Sequence, residues 1–172
     1  MDGLLDSATA LVQWAWARHH NILSWYVRPL LLIPMGYFAW KRSLTGIVVS
    51  FLALLSSMAW FPAPQSPDPR VEALLAAEKA YLLGPWPWWK FLITFAGAAS
   101  LITMCVAFWM RSWKLGLVVV TAIMVAKIAW TYVFTGADAA GKLVLPALVG
   151  TFAVNAAIVL AVRYAKTLDK QP

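Results

Sequence analysis

The chain is short of charge. Asp, Glu, Lys and Arg together make up 12% of it, against roughly 25% in a typical soluble domain. Cysteine is nearly absent: Cys105 stands alone, which excludes an intrachain disulfide. Histidine occurs only as the adjacent pair His19 and His20. Adjacent residues on a helix point about 100° apart, so the pair chelates a metal poorly, and no Cys/His cluster has ligand spacing. No metal or cofactor is expected. The seven acids all fall outside the long apolar runs, so no paired carboxylates are expected at membrane depth. No polar stretch is long enough to fold as a second domain, and residues 1–172 read as one unit. The start, MDGLLDSATA, carries Asp2 and Asp6 and no basic segment, so a cleaved signal peptide is not expected. Nor is a lipid anchor, since position 2 is Asp and TLDKQP has no cysteine.

What the chain has in excess is apolar residues, 62% of the total, gathered in long runs. The run at 115–134, LGLVVVTAIMVAKIAWTYVF, holds a single charge, Lys127. At about 1.5 Å per residue, some twenty helical residues cover the roughly 30 Å hydrocarbon core of a bilayer. Four further runs, 22–40, 44–61, 88–110 and 143–162, share this character. The expected fold class is all-α: a polytopic membrane helix bundle of five transmembrane helices. Two helical segments are placed at the interface instead. One is 4–17, with Leu4, Ala8, Leu11, Val12 and Ala15 on one face. The other is 69–83, where Val71, Leu74, Leu75, Tyr81 and Leu82 share a face.

The boundaries have local causes. Pro29 and Pro34 each remove a donor and should kink the first span. PAPQSPDP at 62–69 is a loop, Gly84-Pro85 stops the helix before it, and PWPWW at 85–89 is an aromatic belt. TGADAAGK at 135–142 reads as a loop. Small residues at 96–100 and along the last span leave room for close helix approach. No internal repeat is evident.

The formal net charge of +7 would suggest nucleic acid in a soluble protein; here the basic residues flank apolar spans, and topology accounts for them. With five spans, Lys41, Arg42, Arg111, Lys114, Arg163, Lys166 and Lys170 share one side with Asp169. The other side carries Arg18, Arg70, Lys79, Lys90 and Lys142 against Asp2, Asp6, Asp68, Glu72, Glu78 and Asp138. The balance is +6 against −1. An integral protein of a bacterial inner membrane is expected, with its N-terminus outside and its C-terminus cytoplasmic.

Lys127 lies deep in its span, where an ionisable group either becomes a neutral amine bonded to Asn155, serines or carbonyls, or keeps its charge in a wet cavity, beside a carboxylate or against an anion from a ligand or another subunit. Glu78 falls in the middle of the apolar face of 69–83 and is the carboxylate best placed to reach it; water or Lys79 would serve Glu78 otherwise. Arg28 sits about two turns inside the first span, either snorkelling to headgroups or joining a site. Trp130 and Thr131 stand one turn beyond Lys127, and Asn155 faces the bundle from the last span. Lys127, Trp130, Thr131, Asn155, Glu78 and Arg28 are the candidate ligand-binding residues. They suggest an apolar pocket with a cationic floor, suited to a small amphipathic or anionic molecule.

Binding or transport of such a molecule is therefore the first expectation, with lipid as solvent and a homo-oligomer completing any pathway. The alternative is an accessory or assembly subunit of a larger membrane complex, in which Lys127 meets a partner's acid. Catalysis ranks last: no Ser/His/Asp set occurs, and His19, His20, Glu72 and Glu78 are the one constellation with acid–base potential. The short, tryptophan-rich, five-span layout resembles the tryptophan-rich sensory protein family, but no motif of that family maps onto these residues and no residue role is carried over.

Overall fold

The computed structural model describes the backbone of residues 2–168. Side chains are described for these except at 2, 4, 5, 135, 137–140, 142, 143 and 165–168. The apolar position Leu4 and the charges counted at Asp2, Asp138, Lys142, Lys166, Asp169 and Lys170 therefore lie outside the described side chains.

The described residues form helices and no strands. α1 (Asp2–His19) stands at 93° to the helix that follows. That helix breaks at Leu31 into α2 (Leu23–Leu30) and α3 (Leu32–Trp40), between the two prolines expected to disturb it. α4 (Leu44–Ser56) is extended by one 3-10 turn, Ser57–Ala59. α5 (Pro69–Leu83) starts with Pro69 in its first turn, and Asp68 accepts from the Arg70 N–H at 2.9 Å. α6 (Trp88–Trp109) and α7 (Trp113–Leu168) complete the chain.

The expected loop at 135–142 contracts to a single break in α7. Gly136 takes φ 79°, ψ 165°, and helix resumes at once. Gly136 supplies the positive φ that ends a helix cheaply. The alanines that follow then favour helix over coil. The two arms fold back on each other, because Asn155 Nδ2 donates to Thr121 Oγ1 at 3.0 Å.

Three stretches are long and apolar enough to cross a bilayer: Trp88–Trp109, Trp113–Phe134 and Val144–Tyr164. A fourth is reached if α1 and the Leu23–Trp40 pair count as one bent span. Leu44–Ala59 is apolar but shorter. Only 17% of the Trp88–Trp109 window is buried within the chain, so most of that surface must face lipid or another helix.

α3 is central, packing on α4, α6 and α7. The main core gathers Leu32, Met35 and Ala39 of α3, Met104 and Phe108 of α6, and Val120, Met124 and Val154 of α7. A smaller core lies at the other end of α2, where Trp25 packs under Val71, Leu74 and Leu75 of α5. This is the inner face expected for 69–83, except that Leu82 points outward.

An internal repeat does exist. Leu32, Ile33, Met35, Trp40, Arg42 and Ser43 recur at a constant offset as Leu101, Ile102, Met104, Trp109, Arg111 and Ser112. The backbone repeats with them. Arg42 and Arg111 both take left-handed φ, 56° and 58°. Arg42 N–H bonds Ala39 O and Ser43 N–H bonds Phe38 O; Arg111 N–H bonds Phe108 O and Ser112 N–H bonds Ala107 O. These are paired Schellman-type stops. They lie side by side, with Arg42 Nε donating to Trp109 O at 3.3 Å. Met35 and Met104 occupy equivalent places in the shared core.

Candidate functional site

Helical spacing sets a polar layer between the two cores. Arg28 lies one turn from Trp25 of the small core on one side and one turn from Leu32 of the main core on the other. Lys127 lies one turn past Met124, and Glu78 one turn past Leu75. His19, at the end of α1, closes the layer and is 5% exposed.

The contacts are specific. Arg28 Nη2 lies 3.3 Å from His19 Nδ1. A guanidinium only donates, so Nδ1 accepts and the proton of the neutral ring sits on Nε2. That nitrogen faces Glu78 Oε2 at 3.9 Å. Trp25 Nε1 donates to the His19 carbonyl at 3.2 Å and fixes the end of α1 against α2. Burial first, then the charges of Arg28, His20 and Lys127, lowers the His19 pKa from the usual 6.5 to about 3. His20 turns away, with Nδ1 2.9 Å from the Trp16 carbonyl. The two histidines thus diverge, as their helical offset requires.

Among the described residues, the side chain that Glu78 meets is the neutral His19. Lys127 is exposed at the side of the layer, and its Nζ lies 4.7 Å over the Trp130 ring, a cation–π distance. Trp130 meets Tyr81 edge-on at 5.2 Å and Phe134 at 5.3 Å. Trp89 stacks on Phe134 at 5.9 Å, which brings one member of the 85–89 belt into the aromatic wall. Arg28 Nε and Tyr81 Oη are buried with no hydrogen-bond partner among the described residues.

The fold thus joins Arg28 to Glu78 through His19, and Lys127 to Trp130 in the aromatic wall. Arg28 turns inward to His19. Thr131 is buried, and its hydroxyl donates to the Lys127 carbonyl at 2.8 Å, within its own helix. Asn155 faces Thr121 on the opposite arm and does not join Lys127. An apolar groove of about 590 Å³ lies elsewhere, between α3, α4 and α6, with Met35, Leu101 and Cys105 among its lining.

Of the four residues named for acid–base potential, His19 and Glu78 do meet, His19 coming in through the sharp turn between α1 and α2. Two participants were not singled out as site residues by the sequence, Tyr81, which enters with the docking of α5, and Lys90. Lys90 is 2% exposed, and its Nζ donates to the carbonyls of Tyr81, Gly84 (3.3 Å) and Pro85 (3.2 Å). It caps α5 from outside and holds it against α6. A lysine just past a Gly-Pro helix stop was the available signal.

Comparison with protein-family models, with characterised proteins and with solved structures gives no match for the chain.

Proposed function

We propose that this is an integral membrane protein that binds or transports a small amphipathic or anionic molecule, with Lys127 as its charge anchor. The observation that carries the reading is the polar layer. Arg28 and Glu78 both lie against His19, and Lys127 lies over Trp130, whose ring meets Tyr81 one turn from Glu78. Lys127 Nζ receives no acceptor from the described side chains, and charge left without an acceptor at this depth favours a bound anion.

The repeat supports a five-pass arrangement. α6 and the first arm of α7 are long enough to cross, and the same arginine stop joins α3 to α4. α2–α3 and α4 are accordingly read as crossing too, with α1 and α5 along the interface. Both arginine turns then lie on one side, which the basic-residue rule makes cytoplasmic in an inner membrane, with the N-terminus outside.

The test is ligand-induced stabilisation of purified protein across a panel of amphipathic anions. A compound that raises the melting temperature of the wild type should leave Lys127→Met unmoved. An equal shift in both proteins removes Lys127 from the site.

A second reading, a subunit of a larger membrane assembly or a homo-oligomer, is favoured by one observation. Residues 91–98 of α6 are exposed without interruption, so among the described residues none buries a face of that half-helix. Purification in mild detergent as a monodisperse monomer without a co-purifying protein would oppose it.

A further inference from the structure

We infer that the apolar groove between α3, α4 and α6 seats one acyl chain of an anionic phospholipid, with the lipid phosphate held at the paired arginine turns. This site is separate from the polar layer and uses none of its residues.

The groove and the turns form one feature. Met35 of α3 is the floor; Leu44 and Phe51 of α4 line one wall, and Ala98, Leu101 and Trp109 of α6 line the other. Leu44 follows Arg42 by two residues and Trp109 precedes Arg111 by two, so the groove opens at the turns. Arg42 Nε donates to the Trp109 carbonyl at 3.3 Å, which lays one guanidinium across the end of α6, at the mouth. Its two Nη groups stay available, and Arg111 is exposed at the same end of the helix.

Charge selects the head. Lys41, Arg42, Arg111 and Lys114 are all exposed at these turns, and no Asp or Glu occurs in 7–67 or 79–137. Among the described residues none of these four cations has an ion pair. Unopposed cations beside apolar spans attract anionic headgroups, and a guanidinium fork matches two phosphate oxygens. No charged residue lines the groove itself, so the polar part of the occupant stays at the mouth.

Length selects the tail. α6 is long and apolar enough to cross a bilayer, and Trp109 ends it, where interfacial tryptophans sit. From Trp109 to Ala98 the lining runs about 16 Å at about 1.5 Å per residue, half of a roughly 30 Å hydrocarbon core. That is the depth of one leaflet, the reach of an acyl chain. A spanning helix would need a seat about twice as long. The groove volume of about 590 Å³ falls within the roughly 300–1,000 Å³ of small-ligand clefts.

The experiment is native mass spectrometry of the full chain in detergent, titrated with phosphatidylglycerol and phosphatidylcholine of identical long chains. The wild type should bind its first phosphatidylglycerol at least fivefold more tightly than phosphatidylcholine. Arg42→Gln/Arg111→Gln should bring the two lipids within twofold of each other, while Arg70→Gln/Lys79→Gln on α5 keeps the wild-type preference. Ala98→Phe fills the deep end of the groove; it should weaken long-chain phosphatidylglycerol at least fivefold and leave a short-chain analogue unchanged. Equal wild-type binding of the two lipids, or a preference that survives loss of both arginines, overturns the inference. So does an equal loss of preference in the α5 variant, which would mean attraction to net charge alone. Long-chain binding unchanged in Ala98→Phe removes the tail from the groove. A wild-type dimer or co-purifying membrane protein that Ala98→Phe disperses would show a helix in the groove instead, and also overturns it. The wild-type preference and the Ala98→Phe comparison are decisive even if the arginine variant does not fold.

Discussion

His19 Nε2 and Glu78 Oε2 lie 3.9 Å apart, and this contact ties the end of α1 to the helix laid across the bundle. The imidazole is neutral there, since burial first, then its neighbours Arg28, His20 and Lys127, lower its pKa to about 3. In an unfolded chain the same ring titrates near 6.5. The unfolded state thus binds more protons through the window between the two values. The stability His19 contributes is complete above about pH 6.5 and is lost as pH falls toward 3. Melting temperature of the detergent-solubilised protein should drop from pH 6.5 to pH 4, at up to about 1.4 kcal/mol per pH unit. His19→Gln should flatten that dependence. A wild-type profile with no fall in this range would contradict the burial of His19.

Lys90 makes a prediction about α5 alone. Its ammonium satisfies carbonyls that the end of a helix leaves open. Lys90→Met keeps the apolar stem and removes the donors, so about 2 kcal/mol of stability should go, the scale of hydrogen bonds to a charged group. Amide exchange should rise in 69–83 and stay unchanged around Met35 and Met104. A uniform rise over the chain would mean that Lys90 supports the whole bundle.

Much of the layer was legible before any coordinates, and the reason is periodicity. Placing 69–83 at about 100° per residue puts Glu78 in line with Val71, Leu74 and Leu75, and these do face inward. Lys127 and Arg28 stood out because charge inside an apolar run is costly. What periodicity does not carry is which helix lies beside which. His19 joined the layer through a 93° turn, and Asn155 left it because the arms of α7 register Asn155 against Thr121. The repeat escaped notice because its identities cluster in 32–43 and 101–112 and are sparse in the helices around them. The composition of 135–142, with two glycines and two charges, resembled a loop although one glycine is enough to turn the chain.

The paired stops predict different outcomes for one substitution. Arg42 and Arg111 both hold a left-handed φ, which costs roughly 1 kcal/mol in a residue with a Cβ and little in glycine. Arg111→Gly should therefore stabilise the protein by about 0.5–1 kcal/mol. Arg42→Gly gains the same backbone relief and loses the bond from Nε to the Trp109 carbonyl, so its net effect should be near zero. Thermal melting of the two variants side by side checks this. Equal stabilisation would mean that the Arg42 bond contributes nothing.

Gly150 governs how closely the second arm of α7 approaches the layer. A Cβ at this position would run into the Pro29 ring, adjacent to Arg28. Proline cannot move that ring out of the way without moving the backbone of α2. Gly150→Val should therefore push α2 from α7 and cost about 1–3 kcal/mol, as overpacking does. The same displacement should draw Arg28 from His19 and move the His19 pKa part of the way back toward its ordinary value. Gly97→Val is the control on α6, since a Cβ there meets nothing within 4 Å. If Gly150→Val melts with the wild type and leaves the acid-side profile unchanged, α2 does not rest on Gly150, and Arg28 is held in the layer by something other than this contact.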